Sequence, residues 1–358
     1  MKSPRPAPTG DAAVFVVVSV DTEEDNWQAT RTGLTVENIR EIPRLQRLLR
    51  QLGVRATYFT NYAVTSTPTS AAILREIAQE GDVEIAAHLH PWNTPPLEDR
   101  WQPRDTMLKN LPATLQHAKI EYLTLEHTRV FGRRPTAFRA GRWGLGPDAI
   151  RSLAQLGYHV DSSVTPYMDW RLYDEGPDFV GAQNQAYRLD GSTDPRLSVA
   201  DGPVLEIPAS FGYNRVPFAR WHTVHERLTS PWARRLRLAG MFHRTGALRK
   251  ITLSPETDTV HDMLSLSRRL IEQGVRYLHP FWHSPSLRPG LTPFVKTARD
   301  SERFFSAIES YFTELRSIAP LKFVTVSEAA AFLEPERVTP AAQRANLAPS
   351  GATARSVT

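Results

Sequence analysis

The chain has 358 residues, 41% hydrophobic and 23% charged, which marks it as a soluble globular protein with material for one large domain or two ordinary ones. No apolar run approaches the ~20 residues needed to cross a bilayer. The absence of cysteine excludes disulfides, thiolate chemistry and cysteine metal ligands, and leads us to expect a cytoplasmic protein.

Residues 1–10 are proline-rich and expected to be disordered, as is the tail over 336–358. The N-terminus carries early positive charge, but its apolar stretch runs into carboxylates without a small-residue cleavage pattern, so no signal peptide is expected. "VFVVVSV" is a continuous β-branched run, the pattern of a strand covered on both faces. Directly behind it comes "DTEEDNW", where Asp21, Glu23, Glu24 and Asp25 crowd together; such a cluster repels itself unless a cation or a proton compensates it.

The next stretch places Ile39, Ile42, Leu45, Leu48 and Leu52 at helical spacing, with Gly53 as a stop. "RATYFTNYAV" predicts a strand, "SAAILREIAQEG" a helix, "VEIAAHLH" a strand and "LPATLQHAKIEYLTLEHTRVFG" a long helix with proline near its start. The alternation continues through "TAFRAG", "PDAIRSLAQLG" and "YHVDSSV", and resumes with "VHDMLSLSRRLIEQG", "RYLHPFWHS", "SERFFSAIESYFTELRSIA" and "KFVTVS". Strand–helix alternation implies a parallel sheet, open or closed. The residues with chemistry fall at strand ends (Asp21, His88, His90, Arg139, Asp161, His283), which favours a (β/α) barrel.

We therefore expect one α/β barrel domain over 11–335, with a β-rich and basic helical insertion at about 170–256. The net charge of +5 is concentrated there: between Arg215 and Lys250 nine Lys/Arg stand against the single acid Glu226. Such a block attracts polyanions or an anionic membrane face, although a solvated helical face is the commoner case. No recognised nucleic-acid-binding motif accompanies it.

His88 and His90 are two apart at a strand end, so their side chains share a direction, as do those of Asp21 and Glu23. One His-x-His pair is ordinarily a hydrogen-bonded loop entrance. Beside an acidic cluster from a neighbouring strand end, two imidazoles and a carboxylate become a hydrolytic zinc donor set. "YLHPFWHSPSL" offers His279 and His283; His283 ends a strand expected beside the first, where an ordinary pKa near ~6.5 suits a general acid. Arg139, before a glycine-rich turn, can hold a carboxylate bidentately, and Asp161 is either its partner or a helix cap. Trp27, Trp92, Trp143 and Trp282 lie within a few residues of these positions, where they could stack on a sugar ring or serve as core.

Together the motifs "SVDTEED", "HLHPW", "FRAGRWG", "VDSSVTP" and "FWHSPSL" resemble those of the polysaccharide deacetylases, the carbohydrate esterase family that includes the nodulation chitooligosaccharide deacetylases, from about Val14 to Leu333. The resemblance implies a distorted (β/α) barrel and metal-dependent removal of N-acetyl groups from amino sugars, with Asp21 as base, His88 as metal ligand, Arg139 as tether of the base and His283 as acid. Two departures stand out. Thr22 occupies the place of a second aspartate, so Glu23, or less readily Asp25, would have to reach the metal. The family spaces its two histidines by four, and here that place is Trp92, which leaves the second ligand to His90. The pattern is that of a divergent branch associated with surface-polysaccharide assembly, lipopolysaccharide or capsule.

The sequence thus leads to a metal-dependent N-deacylase, with zinc as the expected divalent ion, acting on an acylated amino sugar, acidic and lipid-linked forms included, in the cytoplasm or at the inner-membrane face. A metal-independent C–N hydrolase of a small amide on the same barrel, or a non-catalytic module holding an anionic glycan through 215–250, are the alternatives. Metal content of the purified protein separates the first from the other two.

Overall fold

The β-branched run forms two strands in line, β1 (Val14–Val16) and β2 (Val18–Thr22), in a computed structural model that describes residues 13–229 and 248–333. Val16, Val17, Val18 and Val20 are fully buried, as a strand covered on both faces requires. Each such side chain contributes about 1.5–3 kcal/mol on leaving water. Along the chain follow β3 (Ala56–Thr60), β4 (Val83–Leu89), β5 (Ala137–Ala140) and β6 (Val160–Asp161). Next come β7 (Tyr187–Leu189), β8 (Val204–Glu206), β9 (Phe211–Tyr213) and β10 (Lys250–Thr252), then β11 (Tyr277–Leu278), β12 (Phe281–His283) and β13 (Leu321–Phe323).

One sheet runs β12-β2-β3-β4-β5-β6-β8-β7, parallel throughout except for β7. A smaller parallel sheet, β11-β1-β13, continues it below, and β9 pairs antiparallel with β10. The β12 edge is joined to the segments after β8 and β10 by single backbone bonds: Ser210 N–H to the His279 carbonyl at 3.3 Å, and Phe281 N–H to the Leu253 carbonyl at 3.0 Å. Single bonds in place of a ladder make this the distorted barrel that the resemblance implies. As expected, the last site strand lies beside the first, with His283 opposite Asp21 in register.

The helices are α1 (Ile42–Gln51), α2 (Tyr62–Thr65), α3 (Pro68–Gln79), α4 (Ala113–Phe131) and α5 (Pro147–Gln155), then α6 (Phe218–Thr229), α7 (Val260–Glu272), α8 (Ala298–Leu315) and α9 (Val326–Ala330). The helix predicted from Thr35 opens as a 3₁₀ turn, Glu37–Glu41, and becomes α-helical only at Ile42, because Pro43 suits a first turn and no later position. α1 then buries Ile42, Leu45 and Leu49 on one face. One apolar core lies under β1–β3 and includes residues of α1, α3, α7 and α8; a second lies between β4–β8 and the α4–α5 pair. Among the described residues no helix is long and apolar enough to cross a membrane.

The stretch read as an insertion contributes β7 and β8 to the main sheet, while α6, β9 and β10 stand outside it. The remainder of the basic block, including Arg234, Arg235, Arg237 and Arg244, lies outside the described residues, as do both chain ends expected to be disordered. Since the strands run parallel, Asp21, His88, Arg139, Asp161, Glu206 and His283 all arrive at the same rim.

Candidate active site

The four carboxylates at the end of β2 and just behind it have different sets of partners. Asp21 Oδ1 accepts from the Arg139 guanidinium at 2.5 Å. Asp25 accepts from the backbone N–H groups of Glu37 and Asn38 at 2.7 and 2.9 Å, capping the 3₁₀ turn, so the lesser metal-ligand alternative is consumed by local structure. Glu24 turns to His90, Trp92 and Asn61. Glu23, its backbone N–H held by Ser284 Oγ at 3.1 Å, faces His88 and His90.

His88 Nδ1 lies 3.1 Å from the Arg139 carbonyl, which can only accept, so the proton sits on Nδ1. His90 Nδ1 meets the Glu24 carboxylate at 3.0 and 3.1 Å and donates there in the same way. That leaves both Nε2 atoms directed at Glu23 Oε2, 3.3 Å from His88 and 3.2 Å from His90. Three donor atoms gathered within 4.8 Å of one another require positive charge between them. Without a cation a proton must supply it: burial opposes the charge on His90, yet Glu24 and Glu23 raise its pKa to about 10. Two imidazoles and a carboxylate, with both other ring nitrogens fixed by acceptors, fit a divalent ion of the zinc type. Glu23, His88 and His90, the three sequence-predicted ligands, therefore form one buried group that could hold a metal.

Gly141 backs this group. A Cβ there would lie 2.4 Å from His90 Cδ2 and 2.7 Å from the Leu89 carbonyl. Gly141→Ala should therefore cost about 1–3 kcal/mol in urea unfolding, as overpacking does, and weaken metal uptake by displacing His90. Parent-like stability and uptake would show that the turn yields.

On the opposite side, His283 Nε2 faces Asp21 Oδ2 at 3.9 Å, while Nδ1 donates to Glu256 Oε2 at 2.9 Å. Glu256 also accepts from the His283 backbone N–H at 3.2 Å and from Ser286 Oγ at 2.5 Å. Burial disfavours the imidazolium, but Glu256 first, then Glu23 and Asp21, raise the His283 pKa to about 10. Solvent at the ring's open edge, 21% exposed, screens part of that attraction. Nothing in "SPETD" distinguishes Glu256 from any loop glutamate, and the sequence reading missed it.

Arg139, fully buried, also donates from Nε to the Ser162 carbonyl at 2.8 Å and from Nη2 to Ser162 Oγ at 2.9 Å, and its Nη2 lies 3.3 Å from His279 Nε2. Burial and Arg139 push the His279 pKa well below its ordinary value, so the neutral ring accepts. Asp161 is neither Arg139's hydrogen-bond partner nor a helix cap. Side chains alternate along β6, so Ser162 meets the guanidinium, while Asp161 accepts from the Ser163 N–H and hydroxyl, both at 2.9 Å. It stands opposite Glu206 in register. Burial and the Asp161 charge push the Glu206 pKa far up, and burial raises that of Asp161 as well.

The tryptophans divide likewise. Trp27, 41% exposed, sets its ring 5.2 Å from His283 and 5.3 Å from Phe294, an aromatic neighbour the sequence reading missed. Trp92 stacks on His90 at 4.1 Å, and buried Trp143 lies 5.1 Å from the Arg139 guanidinium, so both brace the site. Trp282 is corrected to core: one residue from His283 on β12, it faces the other way and packs on Phe304 of α8.

No protein-family model matches the sequence, and no curated protein matches it. Solved structures are similar in fold. One is a protein from Mycobacterium smegmatis assigned to the polysaccharide deacetylases, 17% identical, TM-score 0.52, covering 94% of this chain and 97% of that one. Another, from Parabacteroides distasonis and assigned as a glycoside hydrolase/deacetylase, is 12% identical with TM-score 0.56, covering 91% and 71%. Puue allantoinase is 13% identical with TM-score 0.52, covering 92% and 93%. The fold is thus that of the polysaccharide deacetylase-like barrels, as the motifs lead one to expect.

Proposed function

We propose that this chain is a metal-dependent hydrolase that removes an N-acyl group, acetyl in the first instance, from an amino sugar of a surface polysaccharide or its precursor. The observation that carries the reading is the convergence of two imidazole Nε2 atoms on Glu23, with Asp21 and His283 facing each other at 3.9 Å beside them. Glu23, His88 and His90 would hold the ion, which when bound polarises the amide carbonyl and lowers the pKa of water.

Asp21 Oδ2, the oxygen not taken by Arg139, accepts the proton of the attacking water. His283 Nε2 delivers a proton to the departing nitrogen as the C–N bond breaks, giving the free acid and the free amine. Arg139 fixes Asp21, Glu256 keeps a proton on His283, and Trp27 with Phe294 offers an apolar flank for a sugar ring.

The test is incubation with a panel of acylated amino sugars, free, nucleotide-linked and polymeric, with released acid measured by mass spectrometry before and after chelation and zinc return. Zinc-restored release is expected; binding of a glycan without any release would leave only a carbohydrate-binding module. The likeness in fold to an allantoinase gives a second reading, metal-independent hydrolysis of a small non-sugar amide, which chelation-resistant turnover of such an amide, with no acid released from the sugars, would select.

The pH profile carries a further prediction. A general acid must be protonated, so activity should fall as pH rises through the His283 pKa. Glu256→Gln removes the largest influence raising that pKa, so the alkaline limb should move to lower pH. The stability contributed by the pair is full below the unfolded value of ~6.5 and is lost as pH climbs toward about 10, so the variant should lose stability chiefly in neutral and acid solution. An unmoved alkaline limb would remove His283 from the acid role.

A further inference from the structure

We infer that Glu24 is a positioning residue for the metal group: it holds His90 by Nδ1 so that Nε2 is presented beside Glu23 and His88. This inference rests on the metal-binding reading of that group. Glu24 is 1% exposed, and the groups around its carboxylate are nitrogen donors. Trp92 Nε1 donates to Oε1 at 3.0 Å, and Asn61 Nδ2 donates to Oε2. The Asn61 amide is oriented by its own Oδ1, which accepts from the Val64 N–H at 3.2 Å. His90 Nδ1 lies 3.0 and 3.1 Å from the two oxygens and completes the set as a donor.

An imidazole that donates from Nδ1 has Nε2 left for a cation. The ring plane is fixed independently. Trp92 stacks on it at 4.1 Å with 28° between planes, and Gly141 lies so near that a Cβ there would fall 2.4 Å from His90 Cδ2. Trp92 thus serves twice, as a wall against the ring and as a donor that orients the carboxylate behind it. A His-x-His pair on one strand needs such a device, because His90 lies just past the end of β4, where the ladder no longer fixes its direction.

The test is zinc titration of chelator-stripped protein against a chromophoric competitor, comparing parent, Glu24→Gln and Trp92→Phe. Glu24→Gln keeps the shape and loses the charge. It should still bind one ion but 10–100-fold more weakly, the usual cost of losing such a support, and its cobalt(II) absorption spectrum should differ from the parent's. Trp92→Phe, which keeps the carboxylate, should lose less affinity than Glu24→Gln. Should Glu24→Gln fail to fold, ¹⁵N shifts of the imidazoles in zinc-loaded parent decide the matter: His90 should carry its proton on Nδ1 and its metal on Nε2, and the reverse overturns the inference. Equal zinc affinity and an equal cobalt spectrum in parent and Glu24→Gln overturn it alone. A parent chain that binds no metal overturns the metal group and this inference with it.

Discussion

Asp21→Asn should bind zinc as the parent does and lose turnover by about 10²–10⁴-fold, the usual contribution of a general base. The two oxygens of Asp21 have separate surroundings: Oδ1 is taken by Arg139 at 2.5 Å, and Oδ2 faces His283 Nε2 at 3.9 Å. An amide of the same shape can present either its oxygen or its nitrogen there, but it cannot take a proton from water. Metal uptake should survive because Asp21 is outside the group formed by Glu23, His88 and His90. Released acid and zinc stoichiometry, measured on the same preparation, check both halves. Turnover retained within a few-fold would reduce Asp21 to a counter-ion of Arg139.

Arg139→Leu should be the most destabilising single change at the rim. The guanidinium is fully buried between the Phe59 and Trp143 rings, at 4.3 and 5.1 Å from their centroids, and its removal leaves the buried Asp21 carboxylate without its partner. Breaking one side of a buried ion pair costs about 3–5 kcal/mol, mostly the penalty of the stranded charge. Adding Asp21→Asn to Arg139→Leu should therefore recover part of the loss, an unusual case of two site substitutions being milder than one. Urea unfolding of both single variants and the double variant, in chelator so that no metal ion contributes, gives the coupling directly. If the double variant is no more stable than Arg139→Leu alone, the loss comes from packing around the ring planes and not from the stranded charge.

Local pattern carried a large share of this fold and site. Strand–helix alternation implied a parallel sheet, because a continuous β-branched run such as Val14–Val20 can be buried only between covering layers, and the gathering of chemistry at strand ends favoured a barrel. The i, i+2 relation put His88 and His90 on one side of the chain and Asp21 on the side of Glu23, since side-chain direction in extended backbone follows from covalent geometry alone. The rule that active residues sit where parallel strands end brought His283 to Asp21, a pairing that the register of β12 on β2 bears out. The same period of two could have removed Trp282 from the substrate group, because it sits one residue before His283.

Other assignments depended on tertiary structure. Which of four neighbouring carboxylates meets Arg139, which meets the histidines and which caps a turn depends on loop paths over a few ångströms, to which composition and periodicity are blind. Glu256 reaches His283 from 27 residues away, and Glu206 meets Asp161 only because β8, and not the next strand in the chain, β7, lies beside β6. A periodic pattern fixes the face on which a side chain lies. The partner at 3 Å is fixed by strand order and register, and these are settled by the packing of the whole chain.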